Sequence, residues 1–194
     1  MTASYDIITI GSGHNGLVAA AYLAVAGKKV LILERQPWFG GGVVTRELTV
    51  PGFKHDQHSM AHIFIQANPL IKNDELGLLS KYGLSYVYPQ TPMIGVFQDG
   101  ETLTLHLDQD KTYQEIAKFS KKDAEAYLRL SELGAAYLPA LTATLYSPPA
   151  PLGASYAMMD QSREGQLLFS IMQKSAYEIV MNWFEHERVR MFFI

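Results

Sequence analysis

An α/β fold opening on a parallel sheet is predicted by three features near the start of this 194-residue chain. A short apolar run, Ile7-Ile8-Thr9-Ile10, leads into a glycine-rich turn, Gly11-Ser12-Gly13-His14-Asn15-Gly16. An alanine-rich segment, Leu17–Ala26, follows, and a second apolar run, Val30-Leu31-Ile32-Leu33, ends in an acid, Glu34. Strand, glycine turn, helix and strand make a βαβ unit. A G-x-G-x-x-G turn with an acid about twenty residues on is the dinucleotide fingerprint of Rossmann-like domains.

Each residue type in that order has a physical task. Tyr5–Ile10 reads as a strand buried on both faces, and Leu17–Ala26 is apolar nearly all round, as a helix packed on such a sheet must be. Gly11 permits the tight turn, Gly13 lets backbone approach a pyrophosphate, and Gly16 lets helix and sheet come close. Ser12, His14 and Asn15 fill the remaining positions, where helix-start N–H groups and the positive end of the helix dipole favour an anion without a lysine. Gly27 is placed as a left-handed C-cap, and Lys28 and Lys29 suit the negative helix end. The Glu34 carboxylate can accept from both ribose hydroxyls and repels a 2′-phosphate, which argues against NADP.

The segment after Glu34 separates a flavin site from a nicotinamide one. Arg35 follows the acid directly, and Gly40-Gly41-Gly42-Val43-Val44-Thr45 comes shortly after. Three adjacent glycines let backbone amides approach a second stretch of a long cofactor, with Val43 and the Thr45 hydroxyl beside it. FAD is such a cofactor. The expected cofactor-binding residues are therefore Gly11, Ser12, Gly13, His14, Asn15, Gly16, Glu34, Arg35, Gly40, Gly41, Gly42, Val43 and Thr45. The alternatives for the second cluster are an ordinary flexible loop or an NAD-binding dehydrogenase with the same start.

Beyond Thr45 the pattern changes. Asn68–Gly83 reads as a short helix, and Leu84–Leu107 as strand-like with a hairpin turn at Asp99-Gly100. An antiparallel hairpin does not continue a parallel sheet, so residues 1–66 are assigned to the FAD-binding domain and 67–194 to a partial α+β domain. Two capping boxes, Thr112-x-x-Glu115 and Ser120-x-x-Asp123, predict helices through Lys118 and toward Leu138, the second ended by Pro139. Ser147–Gly153 is a proline-rich loop, helix resumes from Gln161 to Phe184, and Glu185–Arg188 starts another. The chain then stops on Met191-Phe192-Phe193-Ile194, an unusually apolar end.

The segments Ile10–Ala21, Leu33-Glu34-Arg35, Gly40–Thr45 and Pro51-Gly52-Phe53 resemble the FAD-dependent phytoene desaturase and carotenoid isomerase-like oxidoreductases, which share a fold with amine oxidases. Within that group the run from Gly13 to Leu23 is similar to the pyridine nucleotide-disulfide oxidoreductase domain-like members. The resemblance implies FAD with its adenine half on the N-terminal motif and its flavin reaching a substrate domain that begins with the hairpin and helices. It implies hydride transfer at C–C bonds of a small apolar substrate, of polyene or lipid type, with peripheral membrane contact. Relatives carry a C-terminal segment that returns to the FAD domain. The apolar end is accordingly read as a surface completed by a missing segment or a partner chain, the alternative being a tail buried in a complete small fold. A non-catalytic flavin-binding or scaffold subunit is a further alternative. Three positions depart from or keep the pattern: Gly42 stands where many relatives have arginine, His58 replaces a glycine near the expected flavin, and Asp56 retains the acid.

Composition bounds the rest. A net charge of -3 with no basic run argues against nucleic acid. With no cysteine there is no disulfide, thiolate metal site or redox-active cysteine pair, so electrons pass directly between flavin and substrate. The stretch from Ile7 to Gly27 is not a signal anchor, because Asp6 precedes it and the polar turn interrupts it, so a cytoplasmic location is expected; a homo-oligomer is compatible with these features. Flavin chemistry demands no particular side chain. His55, His58 and His62, beside Asp56, are the catalytic candidates, because imidazoles titrate near neutrality; surface or lining histidines are the plain alternative. No metal is expected, since no Glu or Cys completes a site. Tyr127, Leu130, Gly134 and Tyr137 follow helical spacing and are expected to pack in a core rather than line a tunnel.

Overall fold

In the computed structural model, which describes residues 4–194, the two apolar runs form β1 (Ile7–Ile10) and β2 (Val30–Leu33). They pair in parallel with Ile7 opposite Val30 and Ile10 opposite Leu33. Between them runs α1 (His14–Val25). Its end is a Schellman turn: Gly27 adopts φ 82°, the Gly27 N–H donates to the Ala24 carbonyl at 2.9 Å, and the Lys28 N–H donates to Leu23 at 3.1 Å. Among the described residues the parallel sheet has these two strands alone. Burial on both faces is therefore corrected: α1 lies on the Thr9 side, where Gly16 sits, while Ile8 and Ile10 are 58% and 87% exposed.

A short antiparallel pair follows, β3 (Thr45–Glu47) with β4 (Lys54–Asp56), and the Arg46 guanidinium stacks 3.7 Å over the Trp38 ring. After a 3₁₀ turn at Phe64–Ala67, the helix expected over Asn68–Gly83 reduces to one turn, α2 (Pro69–Lys72), capped by the Asn68 side chain. Asp74 ends it. Its φ of 49° leaves the helical region, and its carboxylate accepts from the Leu79 and Ser80 N–H groups at 2.8 and 2.9 Å.

The chain divides into two compact units between Ser85 and Tyr86. The Tyr22 hydroxyl on α1 donates to the Glu75 carboxylate, which ties the loop after α2 to the first unit.

The second unit opens on the hairpin β5 (Met93–Val96) and β6 (Thr102–Leu105), with Met93 opposite Leu105. Its turn places Gly100 at φ 84°, the Gly100 N–H donates to Phe97, and the Phe97 N–H donates to Glu101, a type I turn closed by a glycine bulge. Residues 84–92, expected as strand, are irregular. Five of the helices that follow are α3 (Gln109–Ala117), α4 (Lys121–Leu145), α5 (Leu152–Met159), α6 (Arg163–Met172) and α7 (Ala176–Trp183). The last, α8 (Glu187–Phe193), begins where the polar stretch predicts.

Three boundaries differ from expectation. Asp108, not Thr112, caps α3, because Thr112 is buried inside the helix and its hydroxyl is shared with the His106 backbone. Pro139 lies within α4 and does not end it; nearby, the Thr142 hydroxyl donates to the Leu138 carbonyl at 2.9 Å. The segment Gln161–Phe184 is two helices, since Ser175 starts a new one with a capping box to Glu178.

The core of this unit joins Leu103, Ile116, Ala124, Ala126, Val180, Phe184 and Val189, with Tyr127 and Leu130 packed against it as their spacing predicts, while Gly134 is exposed and Tyr137 lies outside this cluster. Phe193 stacks on Phe184 with ring centroids 5.1 Å apart and on Tyr127 at 6.0 Å. The apolar end is thus not wholly uncovered: Phe192 and Phe193 pack on this core, while Met191 and Ile194 are exposed. Arg188 holds α8 to the hairpin turn through Asp99 and Glu101. Asp123, fully buried near the start of α4, accepts from the Glu185 and His186 N–H groups at 2.8 and 2.9 Å. Among the described residues, no helix is long and apolar enough to cross a membrane.

Candidate nucleotide-binding site

The glycine turn joins the end of β1 to the start of α1, and each glycine in it answers a different demand. Gly11 sits at φ 91°, a conformation L side chains rarely adopt, and its N–H donates to the Leu33 carbonyl at 2.7 Å, tying the turn to the end of β2. Gly16 is required by closeness, because a Cβ there would lie 2.8 Å from the Gly11 carbonyl oxygen. Gly13 is required by neither. Its φ of -66° suits any residue, and a Cβ built on it meets no protein atom within 4 Å.

Gly13 is also the N-cap of α1, and no side chain hydrogen-bonds to that helix start. His14 and Asn15, both exposed, form its first turn, which carries no acid. Backbone N–H groups at the positive end of a twelve-residue helix thus face open space over a glycine. That is what a close-lying pyrophosphate requires.

Glu34 stands at the end of β2. Its Oε2 accepts from the Ser12 N–H at 2.7 Å and the Ser12 hydroxyl at 2.8 Å, and its Oε1 accepts from the Gln36 N–H at 2.9 Å. These donors, led by the Gln36 and Ser12 backbone N–H groups and then the Ser12 hydroxyl, hold the carboxyl at about 2, well below its ordinary 4.5. The group is an anchored, permanently ionised acceptor at neutral pH. Arg35 beside it is exposed.

The second glycine cluster docks on the first. The Gly40 N–H donates to the Ser12 carbonyl at 2.8 Å, Gly13 and Gly40 form a parallel bridge, and a Cβ on Gly41 would lie 2.9 Å from the Gly13 Cα. Gly40 and Gly41 have φ of 110° and 62°. A Cβ on Gly40 would meet the Val43 carbonyl oxygen at 2.2 Å, so this loop admits no side chain there. Gly42, like Gly13, has no protein atom within 4 Å of where a Cβ would stand. Sequence reasoning assigns these glycines to a ligand; the fold adds that Gly41 packs on the Gly13 backbone and that Gly40 closes tightly on its own loop.

The remaining candidates separate from this constellation. The Thr45 hydroxyl donates to Asp56 at 2.6 Å across the β3–β4 pair. His55 shares a hydrogen bond with Thr49 at 2.8 Å, His62 with the Ser59 carbonyl at 3.1 Å, and His58 is exposed. His58 and His62 do not share a helix. Among the described residues no group of three or more His, Cys, Asp or Glu side chains could hold a metal ion. In the second unit, Tyr156, Met159, Asp160, Gln166 and Phe169 line an open groove of about 350 Å³.

Comparison with known proteins agrees with this geometry. Residues 9–73 match the NAD(P)-binding Rossmann-like domain family. The chain is 33% identical over 92% of its length to a limonene dehydrogenase subunit of Castellaniella defragrans, of which it covers 32%. It is 35% identical over 77% of its length to pyridine nucleotide-disulfide oxidoreductase domain-containing protein 2 of Rattus norvegicus, covering 26% of that protein. A shorter match, 54% identical over 41 residues, is to thiamine thiazole synthase of Archaeoglobus fulgidus. The chain spans about a third or less of the length of these curated relatives. It is a relative of oxidoreductases with a Rossmann-like domain at residues 9–73, which supports a flavin or nicotinamide cofactor.

Proposed function

We propose that this chain holds the adenine half of FAD for an oxidoreductase of the phytoene desaturase-like class that acts on C–C bonds of an apolar substrate. The observation that carries the reading is Gly13, a glycine that neither backbone conformation nor any protein neighbour requires, at an uncapped helix start. A ligand approaching the backbone gives that position a reason to lack a side chain. In this reading Gly13, His14 and Asn15 present N–H groups to the pyrophosphate, and Glu34 accepts from the adenosine ribose. The docked cluster at Gly40–Gly42 supports FAD over NAD, since it sets a second open glycine beside the first turn. We assign Arg35, Val43 and Thr45 to that path from their place in the sequence; the Thr45 hydroxyl also bonds Asp56.

Bound FAD would supply the redox chemistry, taking or giving a hydride at a substrate carbon. The chain's own task is to fix the cofactor's position by backbone donors and one ionised carboxylate, with no thiol involved. His55, His58 and His62 remain candidates for proton handling beside it. The relatives named as a dehydrogenase subunit and an oxidoreductase support the class, and the first of them, as one component of its enzyme, favours a partner chain. A polyene or lipid substrate, peripheral membrane contact and a cytoplasmic setting rest on the family resemblance.

The test is the visible spectrum of the purified protein, with mass identification of what denaturation releases. Released or taken-up FAD supports the reading. Binding of NAD without FAD overturns it in favour of a nicotinamide dehydrogenase, and flavin retained without turnover of any apolar hydride donor favours a flavin-holding scaffold.

A further inference from the structure

Ser12 is nearly fully buried, at 4% exposure, and all three of its polar groups are hydrogen-bonded to distant parts of the chain. Its N–H and hydroxyl both donate to Oε2 of Glu34, at 2.7 and 2.8 Å, and its carbonyl accepts from Gly40 at 2.8 Å. We propose that Ser12 is the positioning residue of the ribose site, fixing Glu34 so that its carboxylate receives one ribose hydroxyl rather than two. The proposal rests on the nucleotide reading above and deepens it.

A carboxylate offers about four acceptor positions, two on each oxygen. Ser12 fills both on Oε2, and the Gln36 N–H fills one on Oε1 at 2.9 Å. The open position is on Oε1. With Oε2 held by two donors from a buried residue, the carboxylate does not rotate to offer its other oxygen, and a ribose finds an acceptor already oriented. Bidentate capture of both vicinal hydroxyls requires the hydroxyl of Ser12, a residue only 4% exposed, to turn away from Oε2. The carbonyl contact adds a second consequence: the residue that orients Glu34 also seats the loop carrying Gly40–Gly42. The depressed carboxyl of Glu34 agrees with this arrangement, with Gln36 and Ser12 as its leading donors.

The test uses the full chain with ADP, 2′-deoxy-ADP and 3′-deoxy-ADP as probes, measured by calorimetry. Wild-type protein is expected to lose about tenfold in affinity for one deoxy analogue and to bind the other like ADP. Ser12→Ala opens Oε2, so both analogues should then bind more weakly than ADP, while Ser12→Thr, which keeps the hydroxyl, should restore the one-hydroxyl pattern. Equal losses for both analogues in wild type overturn the proposal, as does a wild-type pattern in Ser12→Ala. Carbon-13 titration of Glu34 in wild type and in Ser12→Ala reads the same contact without ligand. A midpoint that moves up toward 4.5 in Ser12→Ala supports the lock, and an unchanged midpoint overturns it. Absence of any ADP binding with that upward move present fails the nucleotide reading and leaves the Ser12–Glu34 lock standing.

Discussion

Gly13 and Gly16 lie three positions apart in one turn, yet substitution at them should have opposite signatures. In Gly16→Ala the new methyl would stand 2.8 Å from the Gly11 carbonyl oxygen. Overpacking of about 1–3 kcal/mol then outweighs the roughly 1 kcal/mol by which alanine favours a helix, and the melting temperature should fall. In Gly13→Ala nothing in the protein is touched. The cost is that of a poorer N-cap, under about 1 kcal/mol, while nucleotide affinity should drop by about tenfold or more. Thermal melts and calorimetry on the two variants separate the roles, and a large stability loss in Gly13→Ala would contradict the assignment. Glu34 carries a pH signature of known sign. Its folded value is lowered from 4.5 to about 2, so what its ionised form contributes is fully present above 4.5 and is lost as pH falls toward 2. Affinity for ADP should therefore be flat from neutrality to about pH 4.5 as far as Glu34 is concerned, and Glu34→Gln should bind weakly at every pH in that range.

Among the elements, α8 depends on a carboxylate far away in sequence. Asp123→Ala would strip the Glu185 and His186 N–H groups of their acceptor in a buried place, at about 1–3 kcal/mol for each donor left unpaired. Hydrogen exchange at those two amides should accelerate, with a lower melting temperature for the second unit. Sequence pattern identified Asp123 as half of a capping box with Ser120, and the Ser120 hydroxyl does accept from the Asp123 N–H at 3.1 Å. The carboxylate, however, faces a segment 62 residues on, which no local pattern encodes. The same distinction runs through the whole chain. The glycine turn, the Schellman turn at Gly27 and the Asp99-Gly100 hairpin were legible because their causes are φ angles and nearest neighbours. Thr112 reads as a cap and is an interior residue because Asp108 caps the helix one turn earlier, accepting from the Asp110 and Lys111 N–H groups, and the backbone of His106 claims the Thr112 hydroxyl. Asn68–Gly83 looked like a helix and stops at Asp74, whose carboxylate finds better donors in Leu79 and Ser80. In the candidate site, Glu34 and the first glycines were legible from spacing. The Ser12 contacts and the packing of Gly41 on Gly13 were not, since both join segments separated by some twenty residues or more.

At the scale of the whole molecule, the residues proposed to hold the nucleotide all lie in the first of the two units, on either side of β2. Hydrogen exchange with saturating ADP should slow amides at 11–16 and 40–42 while leaving those of Tyr86–Ile194 unchanged. Protection centred on the α5–α6 groove instead would move the site to Tyr156 and Phe169. Binding should also raise the melting temperature of the first unit with ligand concentration, as a ligand selective for the folded form must. The contact between Gly41 and the Gly13 backbone has a bearing on engineering. Because each loop is the other's floor, with 2.9 Å between a would-be Cβ and its neighbour, neither can be transplanted by itself. The smallest portable cassette runs from Gly11 through Val43 and includes α1 and β2. A chimera that borrows the fingerprint turn but keeps a host loop with a side chain at the Gly41 position should fail to close.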